Sequence, residues 1–252
     1  MIYKYRSLSG EYGRSEAENI ILNSLMYWQS PSRFNDPFDC APRFSVSRSM
    51  SSKKKLIDRA VKNNMIGHSR RERRSRRSKL MKEPYSHWKK RMLSIISDGM
   101  HRSAVSCFSA RNDSLLMWAH YANSHQGLCF EFQETEPIDG GWFSFPVEYI
   151  EERPALELTE EIDVEAMKNL VFKKSTEWAY EEESRMFEYR GEAGSRLFPP
   201  KMLQGIIFGS RTSQSDRDFV KGLLAKREDD IATYEAIVSE TKFHLEIVKV
   251  KT

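Results

Sequence analysis

Two glutamates one residue apart, Glu181 and Glu183, are the strongest candidates for catalysis in this sequence, and Arg185 follows two positions later. If the segment is a strand, all three side chains lie on one face, because side chains alternate along a strand. Two carboxylates can divide the chemistry of a glycosidic bond: one stabilises an oxocarbenium-like transition state and the other activates the acceptor. The competing interpretation is that Glu183 and Arg185 form a surface ion pair, which contributes only about 0–1 kcal/mol.

Two histidines, His120 and His125, are the next candidates. On a helix, five positions correspond to about 500° of rotation, so these side chains do not share a face as a zinc-binding pair would. We therefore expect no metal site, and the sequence has no Cys-x-x-Cys pair that would suggest one. Two interpretations of His120 stay open: a hydrogen-bonded core histidine between Trp118 and Tyr121, or a polar group stacked near a nucleotide base or nicotinamide.

The segment 30–39 is dense in turn-forming residues. Asn35 and Asp36 can bond their own backbone, and the proline that follows disfavours a helix before it. We interpret this segment, including Asp39, as a turn. The alternative is that Asp36 and Asp39 orient an arginine of the site.

Positive charge is concentrated in one stretch of the chain. Residues 48–102 hold 18 Lys or Arg against 4 Asp or Glu, whereas the rest holds 22 against 32. Six arginines fall within positions 70–77, and either they form a solvated helix face or a bound anion relieves their repulsion. Because arginine makes bidentate contacts with phosphate, we expect nucleic-acid binding through the backbone, without sequence specificity. The expected contact residues are Arg70, Arg71, Arg73, Arg74, Arg76 and Arg77.

The element pattern predicts a single α+β domain over residues 1–252, with a central, mostly antiparallel sheet of short strands and flanking helices. A basic helical insertion, residues 48–102, interrupts this domain, and its polar middle is either a helix or a mobile loop. Strands are expected at 2–6, 25–29, 104–109, 127–132, 145–150, 183–189, 203–209, 231–238 and 243–250. Outside the insertion, helices are expected at 15–25, 114–123, 160–175 and 215–227.

Several short motifs occur in an order that resembles the DUF2971 family of uncharacterised bacterial proteins, and they span residues 3–209. The motifs are Tyr3-Lys4-Tyr5, Asn35-Asp36-Pro37-Phe38-Asp39, Cys107-Phe108-Ser109, Met117-Trp118-Ala119-His120-Tyr121-Ala122, His125-Gln126-Gly127, Trp178-Ala179-Tyr180-Glu181-Glu182-Glu183-Ser184-Arg185 and Ile206-Ile207-Phe208-Gly209. The basic stretch lies between matched motifs, so we interpret it as an elaboration of this member.

In the type and spacing of its residues, the glutamate pair also resembles the Glu-x-Glu motif of ADP-ribosyltransferases. Those enzymes add an Arg or His on the first strand and a Ser or Tyr on the second. The resemblance implies that this site uses NAD as its substrate. The catalytic residues expected from it are Glu183, Glu181, Arg6 and His120, and the ligand-binding residues are Tyr5, Ser30, Trp118, Tyr121 and Arg185.

Two functions compete at this point. The first is an ADP-ribosyltransferase-like or NAD-glycohydrolase-like effector of bacterial conflict, a toxin or antiphage protein that acts on or near nucleic acid. The alternative is a non-catalytic module that binds nucleic acid or protein in a defence or ribonucleoprotein complex. No apolar run is long enough to span a bilayer, and no signal peptide is recognisable, so we expect a cytoplasmic protein without a membrane partner. The three cysteines are expected to be reduced thiols.

Overall fold

The computed structural model describes residues 1–41, 43–45, 49–62, 66–136, 141–157, 169–189 and 191–250. Its α-helices are α1 (Gly10–Asn23), α2 (Met50–Lys62), α3 (Arg70–Lys82), α4 (Tyr85–His101), α5 (Leu115–Tyr121) and α6 (Gln214–Leu224). Its strands are β1 (Ile2–Arg6), β2 (Leu25–Trp28), β3 (Arg43–Ser45), β4 (Ala104–Ser109), β5 (Leu128–Phe132), β6 (Phe145–Pro146), β7 (Glu148–Ile150), β8 (Ala155–Glu157), β9 (Lys173–Ser175), β10 (Glu183–Glu188), β11 (Gly194–Leu197), β12 (Leu203–Phe208), β13 (Ala232–Val238) and β14 (Leu245–Lys249). Short 3-10 helices cover Pro31–Arg33, Thr176–Glu181 and Pro200–Met202.

Eight of the described strands form the central sheet, in the order β14-β13-β12-β5-β1-β4-β10-β6. Neighbours are antiparallel except β12 and β13, which run parallel and are connected through α6. Two-stranded sheets pair β2 with β11, β3 with β8 and β7 with β9. The predicted α+β class, with a mostly antiparallel central sheet and flanking helices, is confirmed.

Neighbouring residues of a strand point to opposite sides of the sheet, and apolar side chains of the central strands pack on both of its faces. On one face Phe130 packs in a cluster with Ile20 of α1 and Val220 of α6. On the other face Cys129 packs with Trp118 of α5, which is fully buried. The helices therefore hold the central strands, and the residues at their ends, in fixed positions.

The first helix begins earlier than predicted. Ser9 occupies the extended N-cap position, Gly10 has φ of 68°, and Ser15, where the predicted helix starts, lies inside α1. A left-handed φ favours glycine, which explains why the chain turns into the helix at this residue. The next predicted helix, α5, is capped by the hydroxyl of Ser114, which accepts a hydrogen bond from the Met117 amide at 3.4 Å.

The prediction of a helix over 160–175 is wrong at its end, because 173–175 form β9 and pair in parallel with β7. Residues 160–168 of that prediction lie outside the described residues, and 169–171 are helical as predicted. The expected single strand over 145–150 is two short strands, β6 and β7, which belong to different sheets. Long-range pairing, which no local pattern encodes, decides both segments.

The basic insertion folds as α2, α3 and α4 with a small apolar cluster of its own. Ile57 of α2 and Trp88 of α4 are buried at its centre. The Lys53 ammonium donates to the carbonyls of Met81, at 3.3 Å, and Glu83, at 2.6 Å, at the end of α3. Residues 70–82 form a helix, so of the two interpretations left open for the polar middle of the insertion, the structure has the helical one.

Candidate functional site

A cavity of about 460 Å³ lies where the central sheet splits between β1 and β4. These strands share a single residue pair, Tyr3 with Ser109. Beyond that pair, residues of both strands line the cavity, among them Lys4, Arg6 and Cys107. Small-ligand sites commonly have volumes in this range. The split therefore provides the concave space that a ligand requires.

Five buried ionisable side chains form a network at the cavity: Asp39, Lys174, Glu181, Glu183 and Arg185. The Lys174 ammonium lies 3.0 Å from Glu183 Oε2 and 3.5 Å from Asp39 Oδ2, and it makes a short contact with Glu181 Oε2. Arg185 donates two hydrogen bonds to Asp39 and two to Glu183, over distances of 2.6–2.8 Å. Three carboxylates thus share two cations, which leaves a formal charge of about −1.

The carboxylates of Glu181 and Glu183 lie close together, but not because the two residues share a strand face as predicted. Glu181 is the last residue of the 3-10 helix, β10 begins at Glu183, and Glu182 between them has a left-handed φ of 42°. The Ser109 hydroxyl donates to the Glu181 carbonyl at 2.6 Å and fixes this turn against β4. The expectation that both glutamates lie on one strand is therefore wrong, and their carboxylates meet because both bind Lys174.

The two glutamates have opposite electrostatic environments. Burial disfavours the charge on Glu183, but Arg185 and Lys174 outweigh this effect and lower the pKa of Glu183 to about 2. At Glu181 burial, which disfavours the charged form, has a larger effect than the attraction of the Lys174 ammonium, so the pKa of this carboxyl is raised. Tyr121 donates its hydroxyl to Glu181 Oε1 at 2.6 Å. One carboxylate consequently stays ionised, while the other takes up a proton more readily.

Two cationic residues of β1, Lys4 and Arg6, also line the cavity. Arg6 Nε lies 3.4 Å from Glu16 Oε2 of α1, and within the described residues this nitrogen has no hydrogen-bond acceptor. The Lys4 ammonium donates to Ser106 Oγ and to the Cys107 carbonyl, both at 2.9 Å. The cavity therefore has positive groups on β1 that are distinct from the cations of the buried network.

The structure brings six of the predicted site residues to the cavity: Tyr5, Arg6, His120, Tyr121, Glu181 and Glu183. Three others do not line it. The Ser30 hydroxyl bonds to the His101 carbonyl at 3.2 Å, and the fully buried Trp118 donates to the Asn112 carbonyl at 2.8 Å. Arg185 is fully buried behind the carboxylates that it binds. The structure therefore gives no support to ligand contacts by these three residues.

The sequence interpretation does not single out Lys174 or Lys4, and it places Asp39 in a turn. Asp36 does form that turn, since its carboxylate accepts a hydrogen bond from the Phe38 amide at 2.8 Å. Asp39 instead follows the alternative that orients an arginine, because it binds Arg185. Lys4 could have been recognised from the sequence, because it stands between two aromatic residues of a predicted strand. The residues near Lys174 do not distinguish it from a surface lysine.

The arginine-rich helix α3 is ordered at its start by a capping box. Ser69 Oγ accepts from the Glu72 amide at 3.1 Å, and the Glu72 carboxylate accepts from the Ser69 amide at 3.3 Å. Arg77 pairs with Asp58 of α2 at 2.6 Å, so this arginine is engaged within the chain. A groove of about 1360 Å³ is lined by basic residues of α2 and α3. The exposed arginines of α3 are Arg70, Arg71, Arg74 and Arg76.

Within the part of the chain that the structure describes, no group of three or more His, Cys, Asp or Glu side chains is placed to hold a metal ion. The cysteines there are free thiols, with Cys40 and Cys129 buried and Cys107 half-buried. None of the described helices combines the length and the apolar character needed to cross a membrane.

Fold and cavity define an α+β protein with a charged, ligand-sized cavity at a split in its central sheet. A family model described as "Protein of unknown function (DUF2971)" matches residues 117–186. The match confirms the resemblance to this family over a segment that contains most of α5, all of β5 and both glutamates of the cavity. No match was found among curated proteins or among solved structures. The family description states no activity, so the function has to be argued from the geometry.

Proposed function

We propose that this chain is an enzyme that binds a nucleotide-like ligand in the cavity and acts on its glycosidic bond, with NAD as the first substrate to test. The observation that carries the proposal is that Glu181 and Glu183 share one ammonium while their pKa values move in opposite directions. Titratable pairs whose environments separate their pKa values often divide acid–base work in enzymes. The reaction would release nicotinamide and yield ADP-ribose or an ADP-ribosylated acceptor.

Each glutamate has a separate role in this reaction. As the bond between the ribose C1′ and the nicotinamide nitrogen breaks, its electron pair leaves with nicotinamide, and positive charge develops on the ribose. Glu183, held ionised, stabilises that charge electrostatically. Water or another acceptor then attacks C1′ and transfers its proton to Glu181. A carboxylate with a raised pKa is the better base for this step, because proton transfer becomes more favourable.

The remaining wall of the cavity suits the other parts of a nucleotide. Arg6 lines the cavity with a partly exposed guanidinium, which matches the phosphate oxygens of the ligand. Tyr5, Tyr121 and His120 line the same space, and aromatic rings of this kind can pack against nicotinamide or adenine. Charge and aromatic surface therefore occur together, as a nucleotide requires.

The test is incubation of the purified chain with NAD, followed by chromatography of nicotinamide and ADP-ribose. We expect Glu181→Gln and Glu183→Gln each to lower the rate by at least ~100-fold, the usual effect of removing one electrostatic or acid–base group. Glu182→Gln is the matched control, because it makes the same change one residue away on a side chain that is 50% exposed. The control should keep the wild-type rate.

The pH dependence supplies a second readout. Because Glu181 must be unprotonated to act as a base, the rate should fall as the pH drops through its raised pKa. The proposal is wrong if neither NAD nor other nucleotides bind to or are cleaved by the wild-type chain. It is also wrong if the rate of Glu181→Gln equals that of Glu182→Gln.

A second function, nucleic-acid binding by the basic insertion, is supported by the exposed arginines of α3 and the basic groove beside them. Neutralising a phosphate of duplex DNA releases a counterion, so log K falls with log salt by about 0.9 per contact. Four phosphate contacts on a duplex would give a slope of log K against log salt of about −4, and a single strand would give a shallower slope. Little sequence preference is expected, because arginines that contact phosphates do not read bases.

The corresponding experiment compares two variants of equal charge change in a salt titration. One replaces the exposed arginines of α3, namely Arg70, Arg71, Arg74 and Arg76, with Gln, and leaves the Asp58 partner of Arg77 undisturbed. The other replaces four exposed basic residues outside the insertion, namely Lys201, Arg211, Lys221 and Lys226. Only the first should flatten the slope. Equal slopes in both variants, or no salt-sensitive binding by the wild type, would exclude the insertion as a nucleic-acid site.

An enzyme that consumes a shared nucleotide fits the expected role of a toxin or antiphage effector acting in the cytoplasm. Expression in a bacterial host should then arrest growth while intracellular NAD falls. Glu181→Gln should relieve the arrest at equal protein level, and Glu182→Gln should not. Growth arrest that persists in Glu181→Gln would separate any toxicity from this chemistry.

A further inference from the structure

Lys4 is a buried lysine at the cavity wall that has no task in the proposed reaction. Its side chain is 5% exposed, it lines the cavity, and its ammonium lies 4.7 Å from the centre of the Phe108 ring. The acceptors of this ammonium are neutral: the Ser106 hydroxyl and the Cys107 carbonyl. A buried ammonium is usually paired with a carboxylate, and Lys4 has no ion pair with a described residue.

The charged groups around Lys4 do not compensate for its burial. The titratable groups around it are Arg6 on the same strand, the Cys107 thiol on β4, Glu16 on α1 and Glu183 on β10. Burial, followed by the repulsion of Arg6, lowers the pKa of Lys4 to about 7. A much larger share of the Lys4 side chains is therefore neutral near pH 7 than for a lysine with an ordinary pKa.

We infer that Lys4 is a site of reversible imine formation with a small aldehyde or ketone whose anionic group is held by Arg6. Side chains two positions apart share a strand face, so both residues project from the same side of β1. Arg6 is 27% exposed and lines the cavity, and its only ion pair with a described residue is the contact of Nε with Glu16 at 3.4 Å, in which that nitrogen makes no hydrogen bond. A neutral amine beside a partly exposed guanidinium suits a phosphorylated or carboxylated carbonyl compound.

The covalent step balances without any redox partner. The lone pair of the neutral Lys4 amine attacks the carbonyl carbon, and a carbon–nitrogen bond forms. The two hydrogens of the amine leave with the carbonyl oxygen as water, and a carbon–nitrogen double bond remains. Desolvated lysines with a lowered pKa are the usual nucleophiles for this chemistry. The inference goes beyond glycosidic cleavage and does not depend on it.

Pyridoxal 5′-phosphate, an aldehyde with a phosphate group, is the probe for this site. The full chain is incubated with the probe at a low molar ratio, borohydride is added to reduce the imine, and the modified lysines are located by peptide mass mapping. We expect Lys4 to be modified before the exposed lysines, of which Lys201 serves as the internal reference. The initial rate at Lys4 should level off above about pH 7, whereas the rate at Lys201 should keep rising.

The anionic requirement is tested with pyridoxal, which lacks the phosphate. Wild-type Lys4 should react faster with the phosphorylated probe, and Arg6→Gln should remove that preference while the amine remains. Lys4→Met should lose one modified site, but the wild-type peptide map decides the matter even if this variant is unstable. Modification of Lys4 no faster than of Lys201, or equal rates with both probes, would overturn the inference.

Competition with NAD separates this inference from the proposed function. If both are correct, NAD protects Lys4 from modification, because both ligands occupy the same cavity. Selective modification without protection by NAD would support the imine site and count against NAD as the ligand. Cleavage of NAD by a chain whose Lys4 does not react would support the proposed function and count against the imine site.

Discussion

Replacement of Arg185 by Met should destabilise the protein by about 3–5 kcal/mol, the usual loss when one partner of a buried ion pair is removed. Arg185 is fully buried, and its guanidinium satisfies both oxygens of Asp39 and both oxygens of Glu183. Without it, three buried carboxylates share the single ammonium of Lys174. Methionine fills much of the vacated volume, so the loss reports mainly the unpaired carboxylates and less a cavity.

The assay is guanidinium denaturation at pH 7, in which a loss of this size shifts the midpoint by on the order of 1 M. The control is Arg111→Met, because Arg111 pairs with Asp113 at 2.9 Å but is 43% exposed. A surface pair of this kind contributes about 0–1 kcal/mol. If Arg185→Met lost no more stability than the control, the argument that the carboxylates form a closed, buried network would be refuted.

Three further predictions concern stability. The pKa of Glu183 is lowered to about 2, so its stabilising contribution is present above the ordinary glutamate value and is lost as the pH falls towards 2; Glu183→Gln should flatten this acid limb in pH-dependent denaturation. Trp118→Ala should cost about 3–5 kcal/mol in the same assay, and a loss below about 1 kcal/mol would contradict its place in the core. At Gly127 a Cβ would lie 2.1 Å from the Arg6 carbonyl oxygen, so Gly127→Ala should lower the thermal midpoint clearly. Gly222→Ala, a helical position with open space, should leave the midpoint unchanged or raise it, and equal behaviour of the two alanine variants would contradict the assigned packing.

Much of the central sheet was predictable because its strands carry local patterns. The run 205–209 is apolar and bounded by glycines, and the alternating residues of 243–250 contain the edge strand β14. The short strands β3 and β8 were not predictable, because they are defined by pairing across more than a hundred residues. Three residues with no local apolar pattern become a strand only when a distant partner supplies the hydrogen bonds.

The site was predictable in its residue types and less so in its geometry. Arg6, Glu181 and Glu183 do line one cavity. The left-handed turn at Glu182 could not be anticipated, since glutamate rarely adopts positive φ, and the strand rule therefore misplaced Glu181. Lys174 could not be predicted for a different reason: its burial is visible only once the fold brings Asp39 and the two glutamates around its ammonium.

The position of β1 between β5 and β4 has a consequence for how the protein is made. The strand at 2–6 is synthesised about a hundred residues before its partners at 104–109 and 128–132. At a synthesis rate of about 5–20 residues per second, β1 waits on the order of ten seconds without its hydrogen-bonding partners. The helices of the insertion make local contacts and can form during this interval. Chaperones that cover extended apolar segments would therefore find β1 and β2 as early targets on the nascent chain, and the ligand cavity, whose lining extends to Glu183, could not form before that residue had been made.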